Sequence, residues 1–214
     1  MKRRVLLGVF LILAHVAGAP AQSVRLLKPV DEAAKNPSFL VFRTRLKAIV
    51  AKRDAAALLE TTHPDIKINF GSGDGVAAFK EMWKPDEPGS ELWEELGAVL
   101  RLGGTFDGPT TFIAPYTFSR WPEDVEAFDF GAVIGSHVRI RSAPRLNAPI
   151  LKTVSYAILE LAPEAKPVKG WTAVKVDNGV AYIDSRYIRG PVDYRAMFTY
   201  AEGRWLMNFF LAGD

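Results

Sequence analysis

Between residues 131 and 190 the apolar residues come in six short runs, AVIG, HVRIR, PILKTV, AILEL, WTAVKV and VAYIDSRYI, separated by stretches rich in Gly, Pro, Asn, Asp and Ser. None of these runs carries the sustained three- and four-residue spacing of a core helix. In HVRIR and WTAVKV apolar and polar residues alternate, Val138 and Ile140 against Arg139 and Arg141, Val174 and Val176 against Lys175. A period of two is the pattern of a strand with one buried face. Short strands recurring about every 8–12 residues bury a core only by pairing with several neighbours, so this stretch is expected to fold as a small barrel or sandwich. Asp177-Asn178-Gly179 supplies residues that tolerate positive φ in a tight turn between the last two long runs.

The first half of the chain follows a different period. After Pro37-Ser38, a helix-start signal, Phe39, Phe42, Leu46, Ile49 and Val50 fall on one face, with Arg43, Arg45, Lys47 and Lys52 on the other. Asp54 can cap a second helix over 55–61, which His63-Pro64 then stops. Residues 65–70 alternate like a strand, and the glycine loop GSGDG at 71–75 leads into a short helix with Val76, Phe79 and Trp83 inward and Asp74 as its cap. Ser90 is placed to cap a further helix carrying Leu92, Trp93, Leu96, Val99 and Leu100, ended by Gly103-Gly104. Residues 106–116 read as irregular or extended structure. Tyr194–Leu211 reads as two strands around Ala201-Glu202-Gly203-Arg204.

Charge separates the leader from the rest. The chain holds 27 Lys+Arg and 24 Asp+Glu, and the first 22 residues contain Lys2, Arg3 and Arg4 with no acid. The remainder is therefore neutral. A basic start, an apolar run from Val5 to Ala14 and the small-residue site Ala19-Pro20-Ala21 are the parts of a secretory signal peptide, and the apolar run is too short to span a bilayer. The expected location is periplasmic or secreted, with no membrane attachment once residues 1–21 are removed; the alternative is a leader retained as an anchor. The absence of cysteine excludes disulfides, thiol nucleophiles and cysteine-based metal sites.

Residues 132–190 resemble the bacterial SH3-like domain. The matching anchors are Gly135-x-x-Val138-Arg139-Ile140-Arg141-Ser142-Ala143-Pro144, then Ala148-Pro149-Ile150-Leu151, Gly170-Trp171-x-x-Val174-Lys175-Val176, and Val180-Ala181-Tyr182-Ile183-x-x-x-Tyr187-Ile188. Ala143 stands where the family has glycine, and Ala181-Tyr182-Ile183 where it has Gly-Trp-Val. The resemblance implies an all-β barrel that binds cell-wall peptide or a protein partner and carries no catalytic machinery. The remainder, with its helices, its strand at 65–70 and its final aromatic hairpin, resembles nuclear-transport-factor-2-like α+β folds. The expected fold class is α+β: a signal peptide (1–21), a linker or arm (22–37), a helix-rich domain (38–120), an acidic connector (121–131), an SH3-like barrel (132–190) and a C-terminal hairpin (191–214). That hairpin either extends the barrel or returns to the N-terminal domain.

Arg141, Tyr156, Trp171, Tyr182 and Tyr187 are the candidate ligand-binding residues, because aromatic rings give contact area at low entropy cost and arginine can fork onto a carboxylate. Trp171 reads first as a core staple of the barrel, and Tyr182 as either. The window 130–190 holds nine basic and four acidic residues, whereas 121–129 holds four acids and no base. Either the barrel recruits an anionic ligand or connector and barrel neutralise each other. Nucleic acid is not an expected partner, since neither an RNA-binding aromatic signature nor a basic helix accompanies the charge. His63 and His137, the histidines beyond the leader, lack partners at metal-ligand spacing, so no metal or cofactor is expected. The reading is a non-enzymatic envelope protein. Its alternative is an enzymatic or small-ligand pocket in the N-terminal domain near His63, Asp65 or Asp107.

Overall fold

The computed structural model describes residues 25–71, 73–177 and 179–213, so the signal-peptide reading of 1–21 lies outside the described residues. The fold is mixed α+β. Helix α1 (Pro37–Lys52) starts where Asn36 accepts hydrogen bonds from the N–H groups of Ser38 and Phe39, with Pro37 at the first helical position. Asp54 caps α2 (Ala55–Glu60) by accepting from Ala57 N–H at 3.0 Å. Strand β1 (Thr62–Lys67) follows at once, earlier than the 65–70 expected from alternation, and puts Thr62 and Ile66 inward while Phe70 is exposed. Helix α3 (Val76–Trp83) buries Phe79 and Trp83, and α4 (Leu92–Arg101) buries its whole apolar stripe.

Two of the expected caps serve other purposes. Gly75, not Asp74, is the N-cap of α3, and the Asp74 carboxylate instead takes the Ile68 N–H and pairs with Lys67. The Ser90 hydroxyl donates to the Trp83 carbonyl at 2.6 Å, and α4 is preceded by Glu91. Both side chains close loops, where a backbone partner lay nearer than the helix end.

The stretch expected to be irregular or extended contains the strands β2 (Thr105–Phe106) and β3 (Thr111–Ala114) and ends in the short helix α5 (Tyr116–Ser119). Seven strands follow: β4 (Phe130–Val133), β5 (Val138–Arg141), β6 (Ile150–Val154), β7 (Ile158–Glu160), β8 (Trp171–Val176), β9 (Gly179–Asp184) and β10 (Ile188–Arg189). The hairpin β11 (Arg195–Ala201) and β12 (Arg204–Leu211) returns to the first half, in a five-stranded sheet of order β1-β12-β11-β3-β2. The seven strands are therefore inserted between β3 and β11. Strand β12 lies between β1 and β11 and buries Trp205, Leu206, Met207, Phe210 and Leu211, the near-continuous apolar run of a strand covered on both faces. Phe39 packs at the centre of the helix–sheet core, with Phe112 at 4.2 Å and Trp205 at 4.9 Å between ring centroids.

One glycine permits a close approach in this sheet. A Cβ on Gly104 would stand 2.1 Å from the Ile113 carbonyl oxygen and 2.9 Å from Phe112 Cε1. Because the first obstacle is backbone, Gly104→Ala is expected to cost about 3 kcal/mol, as overpacking does. A urea titration would show this as a lower midpoint at unchanged slope; an unchanged midpoint would contradict it.

The inserted half forms two sheets, β10-β4-β7 and β6-β5-β9-β8, around Val133, Val138, Ile140, Ala157, Val174, Ala181 and Ile183. Where the sequence leads one to expect a barrel, strand pairing does not close one: β7 meets β8 through the single bridge Leu161–Val174. A break at 134–137, with His137 at φ 54°, separates β4 from β5.

Residues 25–36, expected to be a loose arm, are a clasp. Leu26 pairs with Ala157, Leu27 N–H donates to the Tyr156 carbonyl at 2.7 Å, and Ile158 N–H to the Arg25 carbonyl at 2.8 Å. Leu27, 7% exposed, joins Tyr116, Ala132 and Ile158 in a small core that connects the two halves. Farther along, Asp31 takes a two-pronged hydrogen bond from Arg43, 2.7 Å on each arm. This buries Arg43, which helix periodicity had assigned to the solvent face. No helix among the described residues is long and apolar enough to cross a membrane.

Candidate ligand-binding face

Antiparallel partners share a face, so the register of β6-β5-β9-β8 fixes which side chains stand together. Ile150 lies opposite Arg141, Arg141 opposite Tyr182, and Tyr182 opposite Ala173, one row across all four strands. Trp171 lies two residues from Ala173 on β8, and Val180 opposite Lys175 completes the face turned away from the core. The structure thus brings Arg141, Trp171 and Tyr182 onto one outer face. Trp171 and Tyr182 are half-buried there and do not belong to the core of the β half.

Arg141 behaves differently from the other two. It is only 9% exposed, and its guanidinium donates to the Ala148 carbonyl at 2.8 Å, bracing the β5–β6 loop. The exposed cation of this face without an ion-pair partner among the described residues is Arg139, which alternates with the buried Val138 and Ile140; Lys175 is paired with Glu160. Its outward direction follows from the period of two alone. Ile150, 48% exposed, was not identifiable that way, because a bulge between Ile140 and Arg141 shifts the register that brings it alongside Arg141.

Tyr156 and Tyr187 lie apart from this row and flank Gly135. Tyr156 N–H donates to the Gly135 carbonyl at 3.1 Å, and Tyr187 Cδ1 is 3.6 Å from where a Gly135 Cβ would be. Tyr187 is 44% exposed with the Arg186 guanidinium 5.8 Å from its ring centre. Tyr156 faces the junction. Burial, with Tyr156 as the second contribution, pushes the hydroxyl of the fully buried Tyr116 up to about 12. The unfolded chain would ionise this group near its ordinary value of 10. The stabilisation is accordingly complete below about pH 10 and is lost as the pH climbs to about 12. Its size is about 2–3 kcal/mol. Tyr116→Phe is expected to flatten the alkaline side of the stability profile, and a profile identical to that of the parent protein would contradict this.

The charges of the β half divide into paired and unpaired. Lys175 bonds Glu160 at 2.7 Å, Arg186 bonds Asp184 at 2.7 Å, and Lys152 stands 3.6 Å from Asp177. Arg139, Arg145, Lys166 and Lys169 are exposed and make no ion pair among the described residues. The connector does not neutralise them. Its Asp124 pairs with Arg25 of the clasp at 2.6 Å, Asp129 adds a weaker attraction to the already paired Lys175, and among the described residues no connector acid makes an ion pair with the β half.

The N-terminal candidates make local hydrogen bonds, His63 through its ring and Asp65 and Asp107 through their backbone N–H groups. His63 Nδ1 accepts the Asp65 N–H at 3.1 Å, and Asp107 N–H closes the β2–β3 turn onto the Thr111 carbonyl at 3.0 Å. The space between α1 and the sheet is filled by Phe39, Phe106, Phe112, Phe198 and Trp205. An open groove of about 560 Å³ does run outside it, lined by Leu59, Thr62, Pro64, Asp65, Gly75 and Arg204. Compared with protein-family models, curated proteins and solved structures, the chain gives no match.

Proposed function

We propose that this chain is an exported, non-enzymatic binding protein of the bacterial cell envelope. Its inserted half is an SH3-like module that binds an anionic ligand, cell-wall peptide or the acidic surface of a protein partner. The observation that carries this reading is the unpaired positive charge of Arg139 on the outer face that also carries the half-buried rings of Trp171 and Tyr182, with Arg145 exposed in the β5–β6 loop and Asp124 of the acidic connector paired with Arg25. Rings offer contact area, and cations within one Debye length select and steer an acidic group. Export is supported by the three-part leader. The SH3-like assignment is supported by the order of its anchors, which fall on β5, the start of β6, β8 and β9. A catalytic pocket finds less support: the cone-like half is filled with aromatic side chains.

Retention on purified peptidoglycan tests the reading. The mature protein is expected to be retained, and the double variant Arg139→Glu, Arg145→Glu to lose at least about tenfold in retention at low salt, about 1.4 kcal/mol. Equal retention of the two proteins would overturn the assignment of the site.

A further inference from the structure

We propose that the free edge of β6 takes up an extended acidic peptide as a fifth strand of the β6-β5-β9-β8 sheet, a proposal that rests on the β half being the binding part. The other sheet edges are covered. Gly75 N–H donates to the Ile66 carbonyl on β1, Glu32 brackets β2 by bonding the Gly104 carbonyl and the Phe106 N–H, and the clasp lies along β7. Ala162 N–H closes β8 onto the Ala173 carbonyl, and β10 is two residues long. Strand β6 has five residues, four of them exposed, and among the described residues pairs with β5 alone. An uncovered strand edge of this length presents unpaired N–H and C=O groups to any extended segment.

Charge chooses the occupant. Lysine at an edge normally repels a further strand, but Lys152 is drawn toward Asp177. Arg139 stands opposite Thr153, whose short side chain leaves the arginine free to reach over it. An added strand would lie about 10 Å from Arg139, two strand spacings, within the joint span of an arginine and a glutamate. Arg145 offers a second cation in the β5–β6 loop, and Ile150 and Leu151, 48% and 52% exposed, offer apolar contact. A second copy pairing β6 to β6 would bring Ile-Leu-Lys-Thr-Val, a strand without an acid, alongside these cations and leave them uncompensated. The 24 residues preceding Arg25 contain no acid and lack the complementary charge.

The probe is an acetylated and amidated hexapeptide of alternating valine and glutamate, followed by amide NMR and hydrogen exchange on the full mature chain. Expected results are shifts confined mainly to residues 150–154, at least about tenfold slower exchange of β6 amides, and at least about tenfold weaker binding by Arg139→Glu. A copy of the peptide methylated at every backbone nitrogen keeps the charge but cannot pair, and is expected to lose binding. Equal binding of the methylated copy would overturn strand addition and leave an anion-binding face. No binding of either peptide, with peptidoglycan still retained, would overturn strand addition alone; loss of both would take the underlying reading with it.

Discussion

Replacing Phe39 with alanine is expected to remove about 3–5 kcal/mol of folding stability, the usual cost of emptying a large aromatic site in a core. Phe39 is fully buried, and its ring lies within 6 Å of those of Phe42, Phe106, Phe112, Phe198 and Trp205. These rings come from α1, β2, β3, β11 and β12, so one side chain ties the first helix to a sheet that the hairpin completes. Few partners can move into the gap, because each is itself held on a strand or on the same helix. Since a domain is stable by only about 5–15 kcal/mol, the variant is expected to be largely unfolded well below the parent's melting temperature. Phe39→Leu, which retains most of the volume, is expected to cost less than half as much. A loss below about 1 kcal/mol for Phe39→Ala would contradict the packing described.

The second large effect is expected at the clasp. Leu27→Asp would place a carboxylate among Tyr116, Ala132 and Ile158 with no cation in that cluster, and is expected to cost about 3–4 kcal/mol. The damage should be local to the junction. Calorimetry of the variant is therefore expected to show two transitions, one for the helix–sheet half and one for the β half, in place of a single one. Asp31 reports on the same clasp through pH. Burial works against its charge, but the fork from Arg43 and the Ala33 N–H outweigh that and hold the carboxyl below the usual range. Its contribution is thus present above the ordinary carboxylate value and lost as the pH falls through the depressed one. An unchanged melting profile for Leu27→Asp would show that residues 25–27 are ornamental.

Local signals explain what was legible in the sequence. The Asp54 cap, the stripe on α4, the hairpin at 201–204 and the alternation in β5 and β8 each depend on residues a few positions apart, so their periods survive in the linear chain. What failed depended on partners far along it. The clasp reads as a linker because the backbone it pairs with, at 156–158, cannot be inferred from residues 25–27 themselves. Arg43 reads as a surface residue because helical period does not reveal Asp31 waiting beside it. Ser90 and Asp74 carry cap chemistry but bond elsewhere, Ser90 to the Trp83 carbonyl at the end of α3 and Asp74 to the Ile68 N–H beyond β1. At the candidate face, Trp171 and Tyr182 were identifiable by residue type, whereas the bracing role of Arg141 depends on how the 142–149 loop folds.

The proposed function stands or falls with an anionic ligand on the outer face of β6-β5-β9-β8. Titrating the mature protein with soluble peptidoglycan fragments, while following backbone amides and the Trp171 indole N–H by NMR, tests it most directly. Perturbations are expected at Arg139, Trp171 and Tyr182 and are expected to weaken with added salt. Perturbations confined to the groove around Asp65, Gly75 and Arg204 would contradict the claim and move the site to the N-terminal half.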